Sequence, residues 1–599
     1  MNELPPAPCE PREPAPAPTG RRDFVRQSLA MVAGAGAALG TLGLSACGDS
    51  SAPPPAPPPP APPPSPPTPT TLSFSHGVAS GDPLQDRLIL WTRVLDLKDA
   101  NASLTVRWEV ARDVDFKTLV NSGEAQARVE EDHTVKVDAG GLQPGQPYFY
   151  RFSCKGVSSP VGRAKTLPIS ASQVKLAVFS CANYPSGFFN VYAEAAKRED
   201  LDVAVHLGDY IYEYGRGDYG STNAATLGRE VEPASEALNL NDYRRRYAQY
   251  RSDPDLQRLH AALPMIAVWD DHEVCDDAWS GGALNHQTAT EGDYAARKAA
   301  AIQAYHEWMP IRTGTHRELI YRSFAFGDLL ALHMLDTRLA GRDRQLDYAR
   351  YGGASNFDST RFDADLADPS RQLLGTSQQQ WLQQQMASST ATWQVLGQQV
   401  LMARMKVPAA MLFEFNTPGS GLSMQAYLDL RLKAKFSPAS LTEQDRAWLA
   451  LPALPYNLDA WDGYDAAREA LLASARDLNK NLVVLAGDSH NAWASNLADR
   501  AGTPVGVEFA TASVSSPGIE AYVGKDAAPL LAPALTEWVG PLTWADTSRR
   551  GFLVITATAQ DCRAEWVFVS DIASRSYSAS VDQTMRVRPG AGHRALLQA

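Results

Sequence analysis

Two hydrophobic rhythms divide the chain. Between residues 72 and 168, apolar and polar positions alternate in short segments: "RLILWTRV", "LTVRWEVA", "HTVKVDAG" and "PYFYRFSC". β-Branched and aromatic side chains at period two predict half-buried strands, and the clusters "SGDP" and "LQPGQP" mark the turns between them. The spacing predicts a small all-β sandwich. No catalytic constellation falls within it, and His76, Asp82 and His133 read as surface or turn residues. From 172 to 570 the texture changes. Short apolar runs alternate with helical stretches such as "SGFFNVYAEAAKRED" and "AARKAAAIQAYHEWM", which predicts an α/β unit. "GFLVITATAQ" and "RAEWVFVS" read as late strands of a second sheet, and 571–599 as a C-terminal extension.

The apolar runs of the second region share a property. "KLAVFSCAN" ends at Cys181 and Asn183, and "DVAVHLGDYIYEY" at Asp209 and Tyr212. "MIAVWDDHE" ends at Asp270, Asp271 and His272, and "LALHMLDTR" at Asp336 and Arg338. "LVVLAGDSH" ends at Asp488 and His490. In open α/β sheets, ligands bind beyond the carboxyl ends of the strands, so these ends would converge on one patch. Any single member has an ordinary explanation: an Asp after a strand and a Gly commonly caps a turn, and a lone Cys is commonly a small buried hydrophobe. Chance requires a separate accident at each strand; a metal site requires one cause.

The donor types narrow the metals. Asp209, Asp271 and Asp488 suit hard cations that prefer oxygen, while His490 and Cys181 add softer donors. Tyr212 would bind as a phenolate, and its ordinary pKa near 10 then calls for a strong Lewis acid such as ferric iron. Mixed hardness predicts at least two metals, with Asp209 as the bridge. His272 could contact a substrate phosphate or protonate a leaving oxygen. Arg338 could grip a phosphate oxygen or pair with Asp336. Asn183 could orient the site or the phosphate. No Ser or Thr stands in an activating context, because "AGDSH" is not a GxSxG elbow.

These motifs carry a resemblance. "GDYIY" resembles the GDxxY of binuclear metallophosphoesterases, "WDDHE" stands where they carry GNHE, and "GDSH" where they carry GHxH. Cys181, Asp271 and Asp488 replace the usual Asp, Asn and His. This variant set is similar to the alkaline phosphatase D (PhoD-like) family, over roughly residues 72–570 and including "SHGVASGDP". The resemblance implies a calcineurin-like four-layer αββα core preceded by the β-sandwich, in which "GLQPGQPYFYRF" resembles a fibronectin- or Ig-like strand corner. It implies Fe3+ held by Cys181, Asp209, Tyr212 and His490, and Ca2+, expected as two ions, held by Asp209, Asp271 and Asp488. The implied activity is hydrolysis of phosphate mono- or diesters by attack of a metal-bridging hydroxide or oxide, with His272, Arg338 and Asn183 as the catalytic side chains. Two rivals are a phosphodiesterase or phospholipase D-like hydrolase acting on lipid or teichoic-acid diesters, and an exported binding protein with structural metals. Substrate choice would fall to segments 215–260 and 340–385, including "DYRRRYAQYR".

The N-terminal residues read as an address. "RRDFVRQSLAMVAGAGAALGTLGLSAC" resembles a twin-arginine (Tat-type) export signal within 1–47. Its end, Leu44-Ser45-Ala46-Cys47, resembles a lipobox that would lipidate Cys47; the other reading is an ordinary cleavage site. A Pro-rich linker follows at 48–71, with 13 prolines between 51 and 70, a composition that makes a semi-rigid spacer. The expected location is the periplasm or cell envelope, reached through the Tat machinery. Hydrophobic residues at 44% and charged residues at 20% suit a globular protein. The net charge of -12 argues against a nucleic-acid partner, which would require a basic face. Six scattered cysteines exclude a disulfide framework.

Overall fold

The computed structural model describes residues 71–599. The expected export signal, the Cys47 lipobox and the Pro-rich linker lie outside the described residues. The α/β unit rests on two large sheets. In the ten-stranded sheet, Gln173–Phe179, Val203–His206 and Met265–Ala267 run parallel at the centre. Arg550–Thr558 pairs antiparallel with Gln173–Phe179, and Cys562–Val569 follows it. These late strands therefore join the first sheet rather than the second, as their sequence had suggested. Every residue of Arg550–Gly551 through Ala557 is buried, which suits a strand covered on both faces. Residues 571–599 are not a simple extension, for Ala579–Val587 and Leu597–Gln598 complete this edge of the sheet.

The N-terminal β region also differs from an isolated sandwich. Its five-stranded sheet carries Leu104, Val106, Trp108 and Val110 on one face, alternating as predicted, and packs them on Leu88, Leu90 and Val135. The strands that supply those partners are Val78–Gly81, Leu88–Arg93 and Thr134–Ala139, and they belong to the ten-stranded sheet. Gly81 pairs with Met265, so one layer of the sandwich is continuous with the site-bearing sheet. Asp82, read from sequence as a turn or surface residue, is fully buried at this seam. Its carboxylate takes two hydrogen bonds from Arg322, which also donates to Ala267 O. His76 and His133 are buried as well.

In the seven-stranded sheet, Leu330–Met334, Trp393–Gly397, Leu482–Ala486 and Pro504–Ala510 run parallel in that order. Alternation along Leu482–Ala486 divides two cores. Val483 and Leu485 meet the ten-stranded sheet's residues, while Leu482, Val484 and Ala486 pack on helices Gly375–Ser388 and Asp465–Asp477. On the outer side of the ten-stranded sheet lie Asn190–Ala196, Leu240–Arg251, Pro254–Ala262 and Tyr294–Trp308. Among the described residues, no helix is long and apolar enough to cross a membrane.

Candidate metal centre

Three of the parallel strands, Gln173–Phe179, Val203–His206 and Leu482–Ala486, end in sharp reversals that carry polar side chains. Cys181, Asp209, Asp488 and His490 all take left-handed backbone conformations, with φ of 62°, 54°, 56° and 63°. Such φ values are uncommon outside glycine and concentrate at functional sites. Close packing leaves the two preceding glycines no alternative. A Cβ at Gly208 would lie 2.4 Å from Asp270 Cβ, and one at Gly487 would lie 2.1 Å from Ser180 Oγ.

These turns bring the predicted residues together. Cys181, Asp209 and His490 form one group whose ligand atoms lie within 4.8 Å of one another; Asp209, Asp271 and His272 form a second, and Asp270, Asp271 and Asp488 a third. Asp209 thus joins the first two groups, as a bridge would. Tyr212 completes the first: its hydroxyl donates to Asp209 Oδ2 at 2.8 Å and lies 3.2 Å from His490 Nε2. The Nδ1–H of His490 donates to Pro517 O at 2.6 Å, which directs the Nε2 lone pair inward. Asn183 is buried and donates from Nδ2 to Tyr219 O at 3.3 Å.

His272 stands over the Tyr212 ring, centroids 4.1 Å apart, and its Nδ1 meets Glu213 Oε2 at 2.7 Å. Glu213 was missed from sequence, although it follows Tyr212 directly. Glu273 was missed too; its carboxylate accepts the backbone N–H groups of Asp209, Tyr210 and Asp270 and so fixes two strand ends at once. The "DYRRRYAQYR" helix supports the site from behind. Tyr243, Tyr247 and Tyr250 are buried in the core, and Tyr250 Oη accepts the N–H of Tyr212.

Arg338 corrects both of its expected roles. It is fully buried and does not pair with the Asp336 side chain, which instead accepts the backbone N–H groups of Arg338 and Leu339. Nor is it open to a phosphate: Nε meets Asp270 at 2.5 Å, Nη1 meets Asp459 at 2.6 Å and Nη2 meets Asp488 at 2.9 Å, with Asp271 at 3.6 Å. Asp459 follows the proline-broken stretch "LALPALPYNL", which does not read as a strand leading to a site, so the sequence pattern did not single it out. Arg342 bonds the same carboxylate.

The cluster holds more negative than positive charge. Burial raises Asp209 well above the usual carboxylate range, and Asp271 and Glu273 add to this while His272 opposes it. Burial likewise raises Asp270, against Arg338, and raises Cys181 and Tyr212, with Asp209 reinforcing both. Asp271 is the exception: burial pushes it up, but Arg338 and His272 hold it below its ordinary value. Burial acts to lower His272, yet Glu213, Asp209 and Asp271 raise it well above the ordinary histidine value. Within the cluster, Asp209 Oδ1, Asp270 Oδ2 and Asp271 Oδ1 are buried and accept no hydrogen bond among the described residues, Asp271 Oδ1 lying 3.6 Å from Arg338 Nη2. Buried oxygens of this kind are costly unless a cation meets them. The donor set therefore fits bound metal: sulfur, imidazole and phenol with one carboxylate on one side, carboxylates on the other. Among the described residues Cys154, Cys181, Cys275 and Cys562 are all free thiols, so Cys181 is not lost to a disulfide.

Comparison with known proteins places this geometry. Residues 176–566 match the family model described as PhoD-like phosphatase, and residues 61–168 match the PhoD-like phosphatase N-terminal domain. The chain is 37% identical over 463 residues to alkaline phosphatase D of Bacillus subtilis (strain 168), covering 74% of this chain and 70% of that protein. It also superimposes on a solved structure of PhoD with a TM-score of 0.72 and 31% identity, over 89% of this chain and 93% of the other. The fold is accordingly mixed α/β with an N-terminal β region, and the chain belongs to the PhoD-like phosphatase family.

Proposed function

We propose that this protein is a metal-dependent phosphatase that hydrolyses phosphate esters at the strand-end cluster. The observation that carries the reading is the set of buried carboxylate oxygens on Asp209, Asp270 and Asp271 that accept no hydrogen bond, placed among groups spaced for metal ligation. The packing of helices outside both sheets supports the calcineurin-like four-layer αββα arrangement. The Cys181, Asp209, Tyr212 and His490 set is assigned to Fe3+, and Asp209, Asp271 and Asp488 to Ca2+. When bound, the metals supply positive charge and Lewis acidity toward water and phosphate.

The remaining chemistry belongs to the chain's own residues. His272, whose Nδ1 is held by Glu213 and whose Nε2 lies 3.8 Å from Asp276 Oδ1, is assigned to give a proton to a leaving oxygen. Asn183 is assigned to orient the phosphate. Arg338 gathers Asp270, Asp271 and Asp488 around one positive countercharge. The signal and Cys47 support an exported, lipid-anchored enzyme of the periplasm or envelope. Turnover of p-nitrophenyl phosphate against bis(p-nitrophenyl) phosphate tests the activity and sets its monoester or diester preference; metal-loaded protein that turns over neither would refute it. Elemental analysis with a visible spectrum tests the metals: a colourless protein containing only zinc would remove the iron assignment. EGTA should abolish turnover and added calcium should restore it.

A further inference from the structure

Two buried serine hydroxyls stand against the two anionic donors of the first metal group. Ser516 Oγ lies 2.6 Å from Tyr212 Oη, and Ser180 Oγ lies 2.6 Å from Cys181 Sγ. Both serines are fully buried. A hydroxyl has one proton to give, so the question is where each proton points. Ser516 Oγ also lies 3.0 Å from Cys181 O. That carbonyl already accepts the N–H groups of Ser515 and Ser516, each at 3.3 Å, which fills its two lone pairs. The Ser516 proton is thereby left for the Tyr212 oxygen. Ser180 Oγ accepts the N–H of Asp488 at 3.3 Å, which turns its proton away from that amide and toward sulfur. Once Cys181 and Tyr212 are deprotonated as ligands, sulfur and phenolate oxygen can only accept.

We infer that Ser180 and Ser516 are positioning residues of the iron site, each donating a hydrogen bond to one anionic donor atom, Cys181 Sγ or Tyr212 Oη. This rests on the iron reading above. A hydrogen bond to an anionic ligand lowers the energy of the electrons it shares with the metal. Two such bonds would hold a thiolate and a phenolate side by side in a site crowded by Asp209 and Asp488. The space for one of them is reserved by Gly487, where any Cβ would collide with Ser180 Oγ.

The test uses the full chain, loaded with iron, and reads the visible charge-transfer band alongside iron content. Ser516→Val should move the band to longer wavelength at unchanged iron stoichiometry, because the phenolate loses its donor. Ser516→Thr has the same bulk but keeps the hydroxyl, and should leave the band in place. Ser180→Ala should move the thiolate contribution in the same direction. A Val variant with iron bound and an unmoved band would overturn the inference, and so would a Thr variant shifted as far as Val. Iron-free wild-type protein, or Tyr212→Phe that keeps the band, would instead overturn the iron reading and take the inference with it. Iron content, measured first, separates the two failures.

Discussion

Replacing Arg338 by Met tests how the cluster is held before metal arrives. The guanidinium has no exposed surface and meets Asp270, Asp459 and Asp488 at 2.5, 2.6 and 2.9 Å. Removing one member of a buried ion pair costs about 3–5 kcal/mol, because its partner is left charged and dry. Three pairs are lost together here, but the stranded carboxylates respond by taking up protons, which limits the loss to about one such interval. Calcium changes the balance. A cation on Asp271 and Asp488 replaces part of the missing charge, so its affinity for the variant rises and the destabilisation shrinks; ligand at 100 times its dissociation constant stabilises by about 2.7 kcal/mol. Urea unfolding in EGTA and in saturating calcium measures both. The expected result is a loss of about 3–5 kcal/mol in EGTA and a clearly smaller loss in calcium. Equal losses in the two conditions, or a loss under about 1 kcal/mol without metal, would refute the view of Arg338 as a fixed countercharge to metal ligands.

Four further outcomes are expected. Asp209→Asn should abolish p-nitrophenyl phosphate turnover, exceeding the roughly 10–100-fold loss typical of an outer hydrogen-bond partner of a metal ligand; near-normal turnover would exclude the bridge. Gly487→Ala should lose bound iron by elemental analysis, since its Cβ would displace Ser180 and the turn carrying Asp488. Glu273→Ala should destabilise the protein by at least about 3 kcal/mol in denaturant titration, because three buried N–H groups lose their acceptor at about 1–3 kcal/mol each. Glu508 is buried far along Pro504–Ala510, accepts Met402 and Ala403 N–H groups, and is pushed up by burial to about 7. A raised folded-state value means its contribution is fully present below the unfolded value of 4.5 and is lost as pH rises to about 7. Wild type should therefore lose up to about 3 kcal/mol relative to Glu508→Gln across that window; parallel stability curves would contradict this.

The site was legible where a strong apolar run led into it. Cys181, Asp209, Asp271 and Asp488 each follow a run of buried aliphatic residues, so their position at a strand end could be read directly. Asp459 and Ser516 could not be found that way: prolines break the apolar stretch before Asp459, and Ser516 lies in a loop of small residues with no periodicity. Arg338 was visible but misassigned: its sequence neighbour Asp336 looked like the partner, whereas its real partners come from Asp270, Asp459 and Asp488, far along the chain. The same limit explains the seam of the N-terminal region. Val78–Gly81 is four residues long, and nothing in "VASG" announces that Gly81 will pair with Met265. Period shows which residues face inward; it does not show which sheet they enter.

The left-handed backbone at Cys181, Asp209, Asp488 and His490 also restricts what the lineage can write at these positions. Asp and His are among the side chains that tolerate this conformation best, whereas a longer or β-branched residue there adds strain of about 1–2 kcal/mol. A Glu at 209 or 488 would keep the carboxylate but meet both that strain and an extra methylene in a filled space. The vocabulary of ligands is thus set partly by the main chain: each turn admits a short list of side chains, and metal preference can drift only among them.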